Sequence, residues 1–266
     1  MEILGYITIF LAGISIGLIG AGGSILSVPI LVYLFFINPV KAMGYSLFIV
    51  GTTSLVGVYP KYQNKEVSFK MAALFGVPSM ISVFLSRKYL LPALPETMID
   101  FAGISVSKER FLMLFFAVLM LFAARSVIKK SKASGVSDQT PARIQPIFVS
   151  LLGLVEGAVT GLVGAGGGFI IIPILVLYAK MPIKKAIGTS LLIIGVKSLI
   201  GFLGDMSAAD IHINWNFLFF VTLLSICGMF VGNIISKKVD GSKLKRGFGV
   251  FILIMGVYIL TKELFF

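Results

Sequence analysis

Apolar residues along this chain gather into long runs separated by short polar connections. The runs cover residues 2–20, 24–37, 40–59, 67–86 and 109–129, then 146–163, 168–180, 183–203, 214–236 and 247–264. Runs of this kind read as helices that cross a bilayer, because a helix satisfies its own backbone hydrogen bonds where lipid offers none. The ten-residue alternating strands of a membrane barrel are missing from the pattern. The predicted fold class is therefore an all-α integral membrane protein of about ten helical segments. The runs at 24–37 and 168–180 are short: at 1.5 Å per residue, 14 residues make about 21 Å of helix, less than the roughly 30 Å of hydrocarbon. Residues 130–145 are rich in Ser and Lys, with Gly, Asp, Thr and Pro and little to bury, and read as a solvated linker. A second polar connection runs from Arg87 to Arg110 and contains Pro92 and Pro95.

The same pattern occurs twice. Residues 13–57 align without a gap on residues 157–201, a displacement of 157 − 13 = 144, and 21 of the 45 pairs are identical. The expected organisation is a first repeat at 1–129, the linker at 130–145 and a second repeat at 146–266, five segments each. An odd number of crossings per copy turns the second copy upside down. With five crossings, one side collects 16 basic residues and the other 6, namely Lys41, Arg87, Lys88, Lys108, Arg110 and Lys262, with Lys197 inside a span. One net crossing per glycine segment would split them 13 to 9. The stronger asymmetry predicts an inverted repeat with both termini outside.

Composition narrows the class. Fifty-eight percent of the 266 residues are hydrophobic and 13% charged, and the mean hydropathy is +1.03, well beyond a soluble domain. The net charge of +12 is spread in clusters between apolar spans, which argues against nucleic acid as a partner and for the lipid bilayer. The single cysteine, Cys227, reads as a small buried hydrophobe. One histidine and no Cys or His cluster provide no metal-site spacing, and no cofactor is expected. No basic residue precedes Lys41, so the N-terminal run reads as mature sequence rather than a cleaved signal.

Candidate chemistry sits where the copies agree and where they differ. Gly20-Ala21-Gly22-Gly23-Ser24 and Gly164-Ala165-Gly166-Gly167-Gly168 break the helices at matching positions. Their backbone amides, and the positive end of the helix that follows, suit an anion. Short, glycine-interrupted segments at matching positions of two transporter halves point to a binding site. Pro29 and Pro173 should kink the short helices. Gly13-x-x-x-Gly17 and Gly157-x-x-x-Gly161 read as close-packing faces. No Gly-Lys-Ser or Gly-Lys-Thr follows either cluster, which removes a phosphate-loop reading. Ser46 and Ser190 are repeated hydroxyls able to donate to an oxyanion or to bond back to the preceding turn. Glu156 and Lys197 replace Ala12 and Thr53 of the first copy, and charges at that depth face a cavity, a partner or a transport path. The sharper reading has Lys197 attract the anion and Glu156 carry a coupling proton; the plainer ones are a structural ion pair and a snorkelling lysine. Asp205, Asp210 and His212 read as a solvated outer loop, with a proton-entry site as the other option.

The paired Gly-x-x-Gly-Ala-Gly-Gly-(Ser/Gly)-x-x-x-x-Pro-Ile-Leu blocks, each followed by Lys-Ala-x-Gly-x-Ser-Leu (Lys41 to Leu47, Lys185 to Leu191), resemble the sulfite exporter TauE/SafE family of membrane permeases over essentially the whole chain. The resemblance implies transport of sulfite, organosulfonates or related small anions across a prokaryotic inner membrane. The expected function is a secondary transporter working by alternating access. A passive anion channel of the same architecture is the alternative. An enzyme or a purely structural membrane protein accounts for fewer of these features.

Overall fold

The computed structural model describes residues 2–101, 104–128, 146–208, 213–236 and 241–265; the predicted linker at 130–145, Asp210 and His212 lie outside them. Helix α1 (Glu2–Ile19) is followed by a 3-10 segment (Ala21–Leu26) and a short α2 (Ser27–Tyr33). Next come α3 (Pro39–Gln63), α4 (Phe69–Leu85), a π turn (Ser86–Leu90) and α5 (Leu91–Ala93). Strands β1 (Thr97–Phe101) and β2 (Ile104–Ser107) precede α6 (Lys108–Ile128). The chain continues with α7 (Pro146–Val163), α8 (Gly168–Leu177), α9 (Ile183–Ala208), α10 (Trp215–Ser236) and α11 (Gly241–Phe265).

The apolar runs become helices almost residue for residue, and both glycine clusters break them. Among the described residues, α3, Phe69–Ala93, α7, Ile183–Ser207 and α10 are long and apolar enough to cross a membrane. The two short runs give α2 and α8; Gly20 at φ +78° opens the 3-10 segment that leads into α2, and Gly167 at φ +73° opens α8; side chains rarely adopt such angles, which requires glycine there. The polar connection after Arg87 departs from expectation, because it carries an antiparallel hairpin of β1 on β2. Ile104-Ser105-Val106-Ser107 alternates with the two-residue period of a strand.

Close backbone contacts set the relative direction of the helices. A Cβ on Gly13 would collide with the Ser225 carbonyl and one on Gly17 with Met229, so α1 runs parallel to α10. Gly153 lies on Phe75 and Gly157 on Ser79 in the same way, which makes α4 parallel to α7. Small residues allow this approach, and lipid, which provides no hydrophobic drive between helices, makes such packing decisive. In contrast, Gly51 abuts Leu199 while Gly57 approaches Leu191, so α3 and α9 cross antiparallel. These two are the centre: 67% of the residues in their apolar windows are buried, against 39% in α7 and α10.

The segment between α1 and α3 doubles back. Tyr6 near the start of α1 packs edge-on against Phe35 at 5.1 Å between centroids, while Gly20 at the far end of α1 touches Ile187. Helix α11 ends beside the same residues, with Tyr33 Oη donating to Glu263 Oε1 at 2.8 Å and Lys262 Nζ 4.4 Å from the Tyr33 ring. The start of α1 and the end of α11 therefore share one face of the bundle.

One composition-based expectation fails here. Cys227 is exposed rather than buried. On α10 the inward face is Leu218, Val221, Thr222, Ser225, Gly228, Met229 and Gly232, a helical stripe that leaves Cys227 on the outward face with exposed Phe219, Leu223, Phe230 and Ile234. Exposed apolar side chains on such a bundle form its lipid surface.

Gly228→Val should drive a side chain into the Phe10 carbonyl and lower stability by about 2 kcal/mol or more. Gly247→Ala, with nothing within 4 Å, should leave it unchanged. Thermal unfolding in detergent compares the two. Protease-cleavable tags at the two termini of the chain in sealed vesicles should be cut together or protected together.

Candidate functional site

The two broken helices meet at the α3–α9 crossing. Ser24, in the 3-10 segment of the first break, donates from Oγ to the Ala165 carbonyl of the second at 2.8 Å. The breaks use equivalent contacts: a Cβ on Gly20 would press on Ile187, and one on Gly164 on Met43, and positions 43 and 187 are aligned in the repeat. Gly23 packs on Ser15 and Ile16. Ala21 and Gly22 lie in the backbone of the 3-10 segment. Gly166 abuts Val50 and Ile194, with Ser198 Oγ 3.5 Å from where its Cβ would stand.

Gly167 leads to the charged centre. Its missing Cβ would collide with Glu156 Oε1 and Thr160, and would stand 2.9 Å from Lys197 Nζ. Lys197 and Glu156 are 1% and 2% exposed and form a direct ion pair. Lys197 Nζ also donates to Thr160 Oγ1 at 3.1 Å, and Ser79 Oγ donates to Glu156 Oε2 at 2.7 Å. The Glu156 carboxylate thus sits at the N-terminal end of α8, where the helix dipole favours a negative charge. Two buried charges persist at such a site only when each supplies the other's partner and hydrogen bonds satisfy the rest.

The first copy builds the same place without charge. Thr53, aligned with Lys197, bonds through Oγ1 to Ser225 Oγ at 3.1 Å. Ser225 lies on Gly13 as Ser79 lies on Gly157. Where the second copy has Glu156, the first has buried Ala12. The buried charge is therefore one-sided on a doubled frame.

The repeated hydroxyls divide. Ser190 Oγ bonds back to the Ile187 carbonyl at 2.8 Å, the local use of a helical serine. Ser46, Ser54 and Ser198 are buried with no hydrogen-bond partner for Oγ. Each such group is costly by about 1–3 kcal/mol, and Ser54 and Ser198 are again aligned positions.

Two charges read from sequence as solvated are buried. Arg87 is 1% and Asp205 5% exposed, and they pair at 2.5 Å between Nη2 and Oδ2. The π turn Ser86–Leu90 contains Arg87, and Asp205 belongs to α9, which runs further than its apolar run. Each supplies the charge that makes the other's burial tolerable, and 118 residues separate them. Sequence reasoning also missed Ser79 and Thr160. Thr160 carried a signal, since it lies one turn after Glu156 on the same helical face. Ser79 carried none beyond being polar within an apolar run.

At the opposite face of the bundle a small cleft of about 50 Å³ opens between α1, α3, α9 and α10, lined by Gly17, Gly20, Lys61, Ile187 and Asn233 among others. Lys61 itself pairs with Glu66 at 3.2 Å.

Lys197→Met should strand Glu156 and lower stability by about 3–5 kcal/mol. Lys197→Met combined with Glu156→Met, which removes both charges, should recover most of that loss in thermal unfolding.

Comparison with known proteins points the same way as this architecture. Residues 6–259 match the family profile "Sulfite exporter TauE/SafE". The chain is 26% identical over 95% of its length, and 92% of the relative's, to a "Probable membrane transporter protein" of Xylella fastidiosa strain Temecula1. It is 29% identical to "Probable membrane transporter protein MJ0441" of Methanocaldococcus jannaschii, over 75% of this chain and 70% of that one. It is 25% identical to "Probable membrane transporter protein YunE" of Bacillus subtilis 168, over 96% of each. No solved structure matches it. A profile that spans nearly the whole chain, on a multi-pass helical membrane fold, means that this protein belongs to the sulfite exporter TauE/SafE family.

Proposed function

We propose that the protein is a secondary transporter that carries a small sulfur-containing anion, such as sulfite or an organosulfonate, across the inner membrane with a proton as coupling ion. The observation that carries this reading is the Glu156 carboxylate seated at the N-terminal end of α8 against Lys197. That seat suits an anion, and the protein fills it with one of its own. Protonation of Glu156 removes its charge, releases Lys197 and leaves the seat to an oxyanion of similar shape. The oxyanion then takes the donors of Lys197 and Thr160, with the unpartnered hydroxyls of Ser46, Ser54 and Ser198 and the glycine amides of 20–24 and 164–168 along its path. Ser190 contributes backbone order near Gly20 rather than a donor.

Alternating access is the proposed mechanism, with 1–129 and 146–266 as inverted halves joined by 130–145. The antiparallel crossing of the aligned helices α3 and α9 supports inversion. So does the exchange of partners that puts α1 on α10 and α7 on α4. With the basic residues assigned inside, both termini lie outside. Withdrawal of Arg87 into the interior leaves the sparse face with fewer basic residues and reinforces that assignment. A passive channel needs a continuous aqueous path, and two buried ion pairs, one at the centre and one at the end of the α3–α9 crossing, argue against it.

Reconstituted vesicles test the proposal. Sulfite or sulfoacetate should enter when the outside is made acidic, and transport should saturate. Glu156→Gln should retain exchange of anion for anion but lose the response to the pH gradient, and Lys197→Met should reduce flux by about 100-fold or more, the scale of one lost charged contact. Wild-type rates and pH response in both variants would overturn the site.

A further inference from the structure

The proposed function uses Lys197 and Glu156 and leaves the second buried ion pair unexplained. Arg87 reaches inward from the π turn at the end of α4, and its Nη1 donates to the Gly161 carbonyl at 3.1 Å. Its Nη2 holds Asp205 Oδ2 at 2.5 Å. Its Nε is buried without a partner, so a planar fork made for two-pronged binding of an oxyanion is only partly used. The pair lies over Gly44: a Cβ there would stand 2.7 Å from Asp205 Oδ2 and 3.4 Å from Arg87 Nη2. One turn deeper, Leu47 and Val83 close on Gly201. This end of the α3–α9 crossing is shut.

The other end is built from the aligned positions with different residues. Lys61 stands where the second copy has Asp205. Asn233 lies by Gly17, as Arg87 bonds to the aligned Gly161. Lys61 turns to Glu66 instead of across the bundle, and the small cleft opens there. The repeated frame thus has one end sealed by an ion pair and the other open.

Resting on the reading of an oxyanion as substrate, we propose that Arg87 is a second oxyanion-binding residue, at the mouth beside the hairpin, and that its bond to Asp205 is the seal of that mouth. A tetrahedral or pyramidal sulfur oxyanion offers the guanidinium the same geometry as the Asp205 carboxylate. Arriving from the centre or from outside, it displaces Asp205, takes Nη2 and the idle Nε, and so parts α9 from the π turn. When it leaves, Asp205 returns and the mouth closes. Two π-turn features fit this use: the extra residue that turns Arg87 inward, and the wider turn that can yield without breaking α4.

Cysteine accessibility tests the proposal without reference to flux. In the purified full chain with Cys227→Ser, a single Leu47→Cys is treated with a charged methanethiosulfonate reagent. Labelling should be slow, should accelerate by about tenfold or more with Arg87→Gln or Asp205→Asn, and should slow again in the swapped Arg87→Asp, Asp205→Arg double variant, which restores the pair and separates opening from unfolding. Sulfoacetate, which does not consume the reagent, should accelerate labelling in the parent and have no effect with Arg87→Gln. Equal labelling with and without the pair would overturn the seal, and acceleration by sulfoacetate that persists in Arg87→Gln would overturn Arg87 as its receptor. Because no transport is measured, failure of sulfur oxyanions to cross vesicles would count against the proposed substrate alone.

Discussion

Everything at the centre of this protein depends on how closely α3 and α9 can cross. Leu199 packs into the notch left by Gly51 and Leu55 into the notch left by Gly195, which brings two long helices close together. In a bilayer that contact is sustained by packing and internal hydrogen bonds, because lipid gains nothing by being expelled from it. The crossing creates a shielded place where backbone can leave the helix. Irregular backbone at that depth is tolerated only inside protein or along a cavity. The 3-10 segment after Gly20 and the turn before α8 both occupy that place, and Ser24 on the Ala165 carbonyl joins them.

Shielding also governs the charges. Lys197 on α9 could not remain buried without Glu156, and Glu156 has its second oxygen bound by Ser79. Their seat lies where Gly167 leaves room for a carboxylate and where α8 presents its positive end. The first copy has Ala12 and Thr53 in the aligned places, with Thr53 bonded to Ser225 of the second half, and carries no charge there. A frame that the sequence repeats twice carries this buried ion pair in one copy alone.

Much of the fold was legible in the sequence because bilayer thickness and backbone hydrogen bonding leave hydropathy few other solutions. The ten apolar runs mark the helices, and the glycine clusters mark the breaks. Glu156 and Lys197 were legible for another reason: each puts a charge deep in an apolar run where the other copy has an uncharged residue. Arg87 and Asp205 were not. A basic residue at the end of an apolar run looks the same whether it anchors the helix in headgroups or folds inward, and only the tertiary partner, 118 residues away, decides. Cys227 was misread because hydropathy does not separate a side chain facing lipid from one facing the core. The hairpin was hidden by its brevity, since four or five alternating residues carry little signal inside a connection read as polar.

The central claim is that Glu156 occupies an anion's seat and yields it on protonation. Titration calorimetry of sulfoacetate binding, repeated in buffers of different ionisation enthalpy, measures protons taken up with the anion. The account predicts uptake of about one proton per anion bound at neutral pH in the wild-type protein, and none in Glu156→Gln. Binding without proton uptake in the wild type, or equal uptake in Glu156→Gln, would contradict it.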